Sequence, residues 1–299
     1  MQMFKAFFGL VVCCMLCTRG ATAQQQFGAQ GPEGEPNRVQ PWLVPSPDPE
    51  APAHAVLFRP AGDGPFRLAV IAHASSQNVL RRAQMPQPEY PALAGFLVAR
   101  GFAVLVPERP GHGTTGGKYL EDQGGCDEAD YFRSGRATAD SILAALSYLR
   151  GQSFIRPDDT VVVGHSAGGW GALALAGENP LRVSAIVAFA PGRGGHANDF
   201  PNQVCAPHTL LAAAAEFGKG ARVPVTWLVA ANDSYFPPDL SRQLADAFRA
   251  GGDRVDFHVL AASGSEGHCL AESEAVAKIA GGELDRALKA PASKPEKKR

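Results

Sequence analysis

VVVGHSAGGW, residues 161–170, decides the fold of this 299-residue chain. The run of β-branched residues favours a buried strand, and the alanine-rich stretch that follows favours a helix. Gly164 and Gly168 lie two residues on either side of Ser166, as a turn too tight for side chains requires. The stretch therefore predicts strand, sharp turn and helix, with the Ser166 hydroxyl exposed at the strand end. The alternative is a glycine-lined strand end with an idle serine.

On both sides of this stretch, short apolar runs alternate with segments of helical periodicity. That alternation is typical of a parallel sheet covered on both faces by crossover helices. Helices are predicted over Thr138–Arg150, Pro207–Phe217 and Pro238–Ala250. Strands are predicted over Ala55–Phe58, Leu68–Ala72, Ala103–Val106, Val161–Gly164, Ala185–Phe189, Val225–Val229 and Val255–Val259. We expect an α/β fold with a doubly wound, mostly parallel sheet flanked by helices.

Two long glycine-rich segments, residues 109–132 and 191–206, follow strand ends and fit neither pattern. Doubly wound folds place their binding loops at the carboxyl edge of the sheet. We therefore expect Gly116–Phe132 and Gly192–Val204 to form the walls of a binding pocket.

The residues after later strands can supply a base for Ser166. A serine hydroxyl is a poor nucleophile and needs a histidine that is oriented by an acid. Asp233 follows the strand at 225–229, with a turn or helix-capping role as its alternative and Asp239 as a reserve acid. His268 lies in a flexible loop after the next strand, whereas His258 lies inside a strand pattern. The predicted triad is Ser166, Asp233 and His268, and hydrolysis is expected to fail below about pH 6 as His268 protonates.

An oxyanion formed at Ser166 would need two donors already in place. The backbone N–H of Ala167 is the expected first donor, and that of Ser75, in the loop after the strand at 68–72, is the expected second. His73 and Trp170 are predicted to contact substrate. Alternatively, His73 is only a polar residue that ends a buried strand.

Ser166, Asp233 and His268, in this order and with the His73 loop upstream, resemble the α/β-hydrolase superfamily. Within it, the chain is similar to the dienelactone hydrolase-like branch over roughly residues 53–288. The chain departs from that branch in having a serine where dienelactone hydrolases use a cysteine, and Ala74 where a glycine is usual. Lactone specificity is therefore not carried over. The turn at residues 109–113 also resembles these hydrolases, with His112 as a structural residue.

The resemblance implies hydrolysis of small carboxylic esters through an acyl-enzyme intermediate. A peptidase or thioesterase could use the same triad, as prolyl-oligopeptidase-like relatives do. A non-catalytic binding module of the same fold is a third reading.

The chain begins with features typical of a secretory signal peptide over residues 1–23. Lys5 precedes an apolar run, Ala6–Cys17, and Ala21-Thr22-Ala23 forms a cleavage site. Twelve apolar residues are too few to span about 30 Å of hydrocarbon. We expect export to a periplasmic or extracellular location without stable membrane insertion. Residues 24–52 are predicted as a Pro/Gly-rich arm or linker, 53–289 as the catalytic domain and 290–299 as a basic tail.

Three cysteines, Cys126, Cys205 and Cys269, would remain after cleavage. In an oxidising compartment two of them can pair. Cys126 and Cys205 lie in the two irregular segments above one sheet edge and are the predicted disulfide. Cys269 is expected to begin a buried helix. The alternative is three free thiols.

Composition excludes several other classes of function. The formal net charge is −1 and becomes more acidic without Lys5 and Arg19, so nucleic acid is not an expected partner. The histidines show no zinc-binding spacing, and the glycine runs do not form a dinucleotide-binding turn. No cofactor or metal is predicted.

Overall fold

The computed structural model describes residues 26–251 and 255–289. The predicted signal peptide and basic tail lie outside the described residues, and export stays a prediction. Within the described part, no helix combines the length and apolar character needed to cross a membrane.

The described residues form a nine-stranded sheet. Its strands are β1 (Gly28–Ala29), β2 (Gln40–Val44), β3 (Ala53–Phe58), β4 (Arg67–Ala72), β5 (Phe102–Pro107), β6 (Thr160–His165), β7 (Val183–Phe189), β8 (Val225–Ala230) and β9 (Val255–Leu260). They are ordered β1-β2-β3-β5-β4-β6-β7-β8-β9. The pairs among β1, β2, β3 and β5 are antiparallel, and all remaining pairs are parallel. All seven predicted strands are present, each slightly longer than predicted, and the mostly parallel sheet is confirmed.

Helices cover both faces of the sheet. They are α1 (Val79–Ala83), α2 (Pro91–Val98), α3 (Tyr131–Arg150), α4 (Ala167–Gly177), α5 (Pro207–Gly220), α6 (Pro238–Gly251) and α7 (Val276–Leu288). Alternate residues of β4 face two separate cores. Leu68 and Val70 join the core under α3 to α6, and Ala69 and Ile71 join the core under α2 and α7. Burial on both faces explains why the central strands are mostly apolar and do not alternate with polar residues.

Residues 26–52 are not the surface arm that the sequence predicts. They contribute β1 and β2, and β2 pairs along β3 from Gln40 to Val44. Trp42 and Val44 are buried in the main core, and the Trp42 indole N–H donates to the Gln40 side chain at 2.9 Å. The apolar part of β2 is only a few residues long, and the residues around it are polar and rich in proline. The mean hydropathy of the whole segment therefore does not indicate a buried strand.

The two long segments above the sheet edge are joined by the Cys126–Cys205 disulfide. The predicted pairing is therefore present. Cys269 does not begin a buried helix: it is exposed in a 3₁₀ turn, Gly267–Glu272. Only Leu270 and Ala271 of that turn pack in the apolar core. The His268 side chain points towards Ser166, and the Cys269 side chain points outwards.

Candidate active site

Ser166 occupies a strained turn between β6 and α4. Its backbone angles, φ 54° and ψ −118°, lie outside the regions that L-residues favour. A Cβ on Gly164 would come within 2.5 Å of the Gly168 carbonyl oxygen, and a Cβ on Gly168 within 2.1 Å of the Ala72 carbonyl oxygen. The glycines are therefore required by close backbone approach, as the sequence pattern predicts. The turn leaves the Ser166 hydroxyl facing the end of the sheet.

The structure brings Ser166, His268 and Asp233 together. His268 Nε2 lies 2.9 Å from Ser166 Oγ, and His268 Nδ1 lies 3.2 Å from Asp233 Oδ2. The other carboxylate oxygen, Oδ1, accepts the backbone N–H groups of Tyr235 at 2.8 Å and Phe236 at 2.9 Å. All three triad side chains are buried. The arrangement can pass a proton from the serine to an imidazole whose other nitrogen is oriented by a carboxylate.

The alternatives to Asp233 and His268 lie elsewhere. Asp239 is in the first turn of α6, where an acid favours the helix dipole. His258 is in β9, with Nε2 at 2.8 Å from the Asp256 carboxylate. Neither residue contacts Ser166.

Glu266 and Tyr235 hold His268 in place and were not predicted. Glu266 Oε1 accepts the backbone N–H of His268 at 2.9 Å and that of Ser234 at 3.1 Å, which joins the two triad loops. The Tyr235 ring stacks on the His268 imidazole with centroids 4.3 Å apart. Two features of the sequence could have indicated these residues. Glu266 is an acid two residues before His268, and Tyr235 is an aromatic residue two residues after Asp233.

Burial lowers the pKa of His268 below the ordinary 6.5, although the hydrogen bond and charge of Asp233 act in the opposite direction. The neighbouring His165 lowers this pKa further and Glu266 raises it. A lowered pKa keeps the imidazole neutral, and so able to accept a proton, to a lower pH than a free histidine would be.

We therefore expect the acidic limb of a log kcat/KM profile against pH to have its midpoint below 6.5. Activity should be lost as the pH falls through that midpoint, because a protonated His268 cannot act as the base. Initial rates for a neutral ester between about pH 4 and 9 would measure it. A midpoint above 7, or no acidic limb, would contradict the assignment of His268.

The two expected oxyanion donors have N–H groups without an acceptor among the described residues. Ala167 is the first residue of α4, where a helix leaves N–H groups free. The Ala74 N–H donates to the Tyr90 hydroxyl at 3.0 Å, whereas the Ser75 N–H finds no such acceptor. The Ser75 side chain is held by His112, with Oγ and Nε2 2.7 Å apart. Ser75 therefore stays the predicted second donor.

Of the two predicted substrate contacts, the structure contradicts Trp170, and His73 stays a prediction. Trp170 lies on the inward side of α4, fully buried, and its indole N–H donates to the Tyr131 carbonyl at 2.8 Å. His73 is 1% exposed, and its Nε2 accepts the backbone N–H of Arg109 at 3.0 Å. His73 Nδ1 lies 2.5 Å from the Ala74 carbonyl, so both ring nitrogens bind the main chain. Trp170 is structural, because α4 turns its ring into the core. His73 holds the main chain through both ring nitrogens and also borders a cavity beside Ser75.

A buried ion cluster joins the two long segments. Glu121 pairs with Arg109 through one carboxylate oxygen and with Arg193 through the other. Arg193 also donates to the Thr138 hydroxyl at 2.8 Å, and Arg109 donates to the His73 carbonyl at 2.8 Å. These charged side chains are at most 1% exposed. The cluster fixes the main chain around the site, and no local sequence pattern indicates it.

A cavity of about 540 Å³ opens beside the loop that carries Ser75. It is lined by residues 73–76, Arg81, residues 85–91 and Glu272. None of Ser166, Asp233 and His268 lines this cavity, so the pocket walls predicted at Gly116–Phe132 and Gly192–Val204 stay a prediction. Most of the exposed lining surface is apolar, as in sites for small molecules. Within the described ranges, no group of three or more His, Cys, Asp or Glu side chains is arranged to hold a metal ion.

Comparisons with known proteins agree with this architecture. The sequence model of the prolyl oligopeptidase family matches residues 89–192, a stretch that contains Ser166 but neither Asp233 nor His268. A comparison with curated protein sequences gave no match.

Three solved structures illustrate the similarity in fold. A cold-adapted esterase from an Arctic intertidal metagenomic library is 18% identical with a TM-score of 0.58, over 87% of this chain and 99% of that one. A Klebsiella pneumoniae protein assigned as a dienelactone hydrolase is 16% identical with a TM-score of 0.53, over 84% and 99%. A puromycin-hydrolysing peptidase of Mycobacterium tuberculosis is 16% identical with a TM-score of 0.58, over 87% of this chain but 41% of the peptidase.

These similarities and the strand order lead to one conclusion about the scaffold. The sheet is mostly parallel, helices cover both faces, and the strained serine turn follows a central strand. The chain has the α/β-hydrolase fold.

Proposed function

We propose that this protein is an exported serine hydrolase that cleaves small carboxylic esters through an acyl-enzyme intermediate. Ser166 Oγ attacks the ester carbonyl carbon while His268 Nε2 takes the hydroxyl proton. The protonated imidazole then gives that proton to the departing alcohol oxygen as the carbon–oxygen bond breaks. Water, deprotonated by His268, then attacks the acyl carbon, and the protonated imidazole returns that proton to Ser166 Oγ as the acyl carbon–Oγ bond breaks and the acid leaves.

One observation carries the proposal, namely the unbroken line of contacts from Ser166 through His268 to Asp233. The Asp233 carboxylate holds the Nδ1–H tautomer, so that Nε2 is free to accept the serine proton. The Ala167 and Ser75 N–H groups would stabilise the tetrahedral oxyanion. Two of the three structural neighbours above are an esterase and a protein assigned as a dienelactone hydrolase, which supports this reaction class.

A fluorophosphonate probe and a panel of esters test the proposal. The wild-type protein should become labelled at Ser166, because only an activated serine reacts, and should hydrolyse p-nitrophenyl acetate. A folded protein that neither reacts with the probe nor hydrolyses any ester would instead favour a non-catalytic binding module. Rates across aliphatic, aromatic and lactone esters would then define the substrate.

A peptidase is the second candidate, favoured by the match to the prolyl oligopeptidase family over residues 89–192. The peptidase neighbour is more than twice as long as the part that this chain covers, so its activity does not transfer directly. Matched ester and p-nitroanilide substrates with the same acyl group distinguish the two. A higher kcat/KM for the anilide would favour a peptidase.

The proposed export is supported by the Cys126–Cys205 disulfide, since such bonds persist in oxidising compartments. The N-terminus of the protein recovered outside the cytoplasm should begin at Gln24. An N-terminus that still begins at Met1 would contradict export by cleavage.

A further inference from the structure

Tyr90 is held in a backbone conformation that tyrosine rarely adopts. It immediately precedes Pro91, the first residue of α2, with φ 53° and ψ 51°. A bulky residue at positive φ is strained, and such strain persists where the surroundings fix it, often near functional sites. The side chain is 5% exposed and packs in the core under α2 and α7. The Tyr90 conformation therefore calls for an explanation beyond loop closure.

The Tyr90 hydroxyl is a junction of buried hydrogen bonds. Its oxygen accepts the backbone N–H of Ala74 at 3.0 Å, and it lies 3.0 Å from His165 Nδ1 and 3.3 Å from Glu272 Oε1. Ala74 directly precedes Ser75, the predicted oxyanion donor. The hydroxyl thus holds the peptide next to the one that carries the Ser75 N–H.

His165 continues this connection to the catalytic base. Its Nε2 lies 2.8 Å from the backbone carbonyl oxygen of His268. A carbonyl only accepts, so Nε2 carries the hydrogen and donates. Nδ1 of a neutral His165 then accepts the Tyr90 O–H, and Nδ1 of a protonated His165 donates to Glu272, which lies 3.2 Å away. In both states the Tyr90 oxygen accepts the Ala74 N–H.

We propose that Tyr90 and His165 are positioning residues that hold the oxyanion loop and the catalytic base in register with Ser166. This inference rests on the proposed serine hydrolase function. The connection runs from the Ala74 N–H through the Tyr90 hydroxyl and the His165 ring to the His268 carbonyl, and it contacts none of the reacting atoms. It acts by preorganisation: donors and base aligned before the reaction stabilise the transition state more than the bound substrate.

The first test is Tyr90→Phe, which removes only the hydroxyl. Loss of a direct oxyanion donor costs about 10²- to 10³-fold in kcat, so loss of its support should cost less, about tenfold. KM should stay within about twofold, because ground-state binding is unchanged. Phosphonylation of Ser166 by the fluorophosphonate should slow in parallel. Tyr148→Phe, which removes a hydroxyl on α3 beside Phe27, is the matched control and should leave kcat unchanged.

A double-mutant cycle distinguishes a shared positioning role from a general loss of packing around the site. If Tyr90 and His165 act through one connection, Tyr90→Phe combined with His165→Leu should be no slower than the slower single variant. Losses that multiply, or a Tyr90→Phe kcat within twofold of wild type, would overturn the proposal.

Amide hydrogen exchange tests the connection without any substrate. The Ala74 amide should exchange at least about tenfold faster in Tyr90→Phe than in wild type, while core amides of β4 keep their protection. An unchanged Ala74 exchange rate would overturn the proposal. A wild-type protein that hydrolyses no ester would count against the proposed function and leave this measurement decisive for Tyr90.

Discussion

Ser166→Ala should lower kcat for a short p-nitrophenyl ester by about 10⁵- to 10⁶-fold, since a triad acts as a unit and loses nearly all its effect with the nucleophile. Ser166 Oγ is the atom 2.9 Å from the base, and no other hydroxyl within the described residues contacts His268 Nε2. The variant should also lose all labelling by the fluorophosphonate. Steady-state kinetics with burst titration of the wild type would measure the difference.

The fold should survive this change, because Ala167 and the two flanking glycines set the turn and alanine is smaller than serine. Ser184→Ala is the control: it deletes a buried hydroxyl in β7 whose Oγ donates to the Thr160 carbonyl at 3.2 Å, away from the triad. That variant should keep wild-type kcat. Turnover by Ser166→Ala above about 1% of wild type, with no contaminating hydrolase, would remove Ser166 from the mechanism.

Most of the sheet could be predicted because its strands are buried on both faces. Every residue of β6 and β7 is buried, and most of each strand is apolar, so both are recognisable as short apolar runs. β2 lacked that signal, because it lies towards one edge of the sheet, is only five residues long and has an exposed proline at Pro41. The position of β2 in the sheet depends on its pairing with β3, and the local sequence pattern of residues 40–44 does not indicate that pairing.

The triad could be predicted because its order along the chain is fixed by the order of the strands. Ser166, Asp233 and His268 each follow a predicted strand end, and parallel strands bring their carboxyl ends to one edge. Side-chain direction was the missing information for Trp170. Trp170 is four residues after Ser166 on α4, yet its ring packs between Tyr131 and Phe217 in the core.

The support around the triad could not be predicted for a related reason. Tyr90 and Glu121 act through partners that lie far along the chain, and neither belongs to a short motif. Glu121 contacts Arg193, and Tyr90 contacts His165, only because loops from different strand ends meet above the sheet. Such contacts follow from the tertiary structure and produce no periodic pattern in the amino-acid sequence.

Glu121→Gln should lower the free energy of unfolding by about 3–5 kcal/mol, the range for breaking a buried ion pair. The glutamine would keep the shape of Glu121 but lose its charge, and its amide N–H₂ would face an arginine. Arg109 and Arg193, each no more than 1% exposed, would then be buried without a counter-charge. Denaturant titration at pH 7 would measure the change, and kcat should fall because His73 and the loop before Ser75 are held by Arg109.

Glu128→Gln is the matched control, since it makes the same substitution at an exposed position of the same segment. An exposed change of this kind should alter the free energy of unfolding by no more than about 0.5 kcal/mol. If the free energy of unfolding of Glu121→Gln also lay within about 0.5 kcal/mol of wild type, the prediction would be wrong. The two arginines would then have found other partners or water.

The pH dependence of stability gives an independent view of the same cluster. Burial alone would raise the pKa of Glu121, but the charges of Arg109 and Arg193 outweigh burial and hold the pKa well below its ordinary value. A pKa lowered by folding makes protonation favour the unfolded state, so this stabilisation is complete above the unfolded value near 4.5 and is lost as the pH falls. Wild type should therefore lose stability steeply between about pH 5 and 2, and Glu121→Gln, which has no such carboxylate, should lose less over that interval. Parallel curves for the two proteins would mean that other carboxylates account for the acid sensitivity.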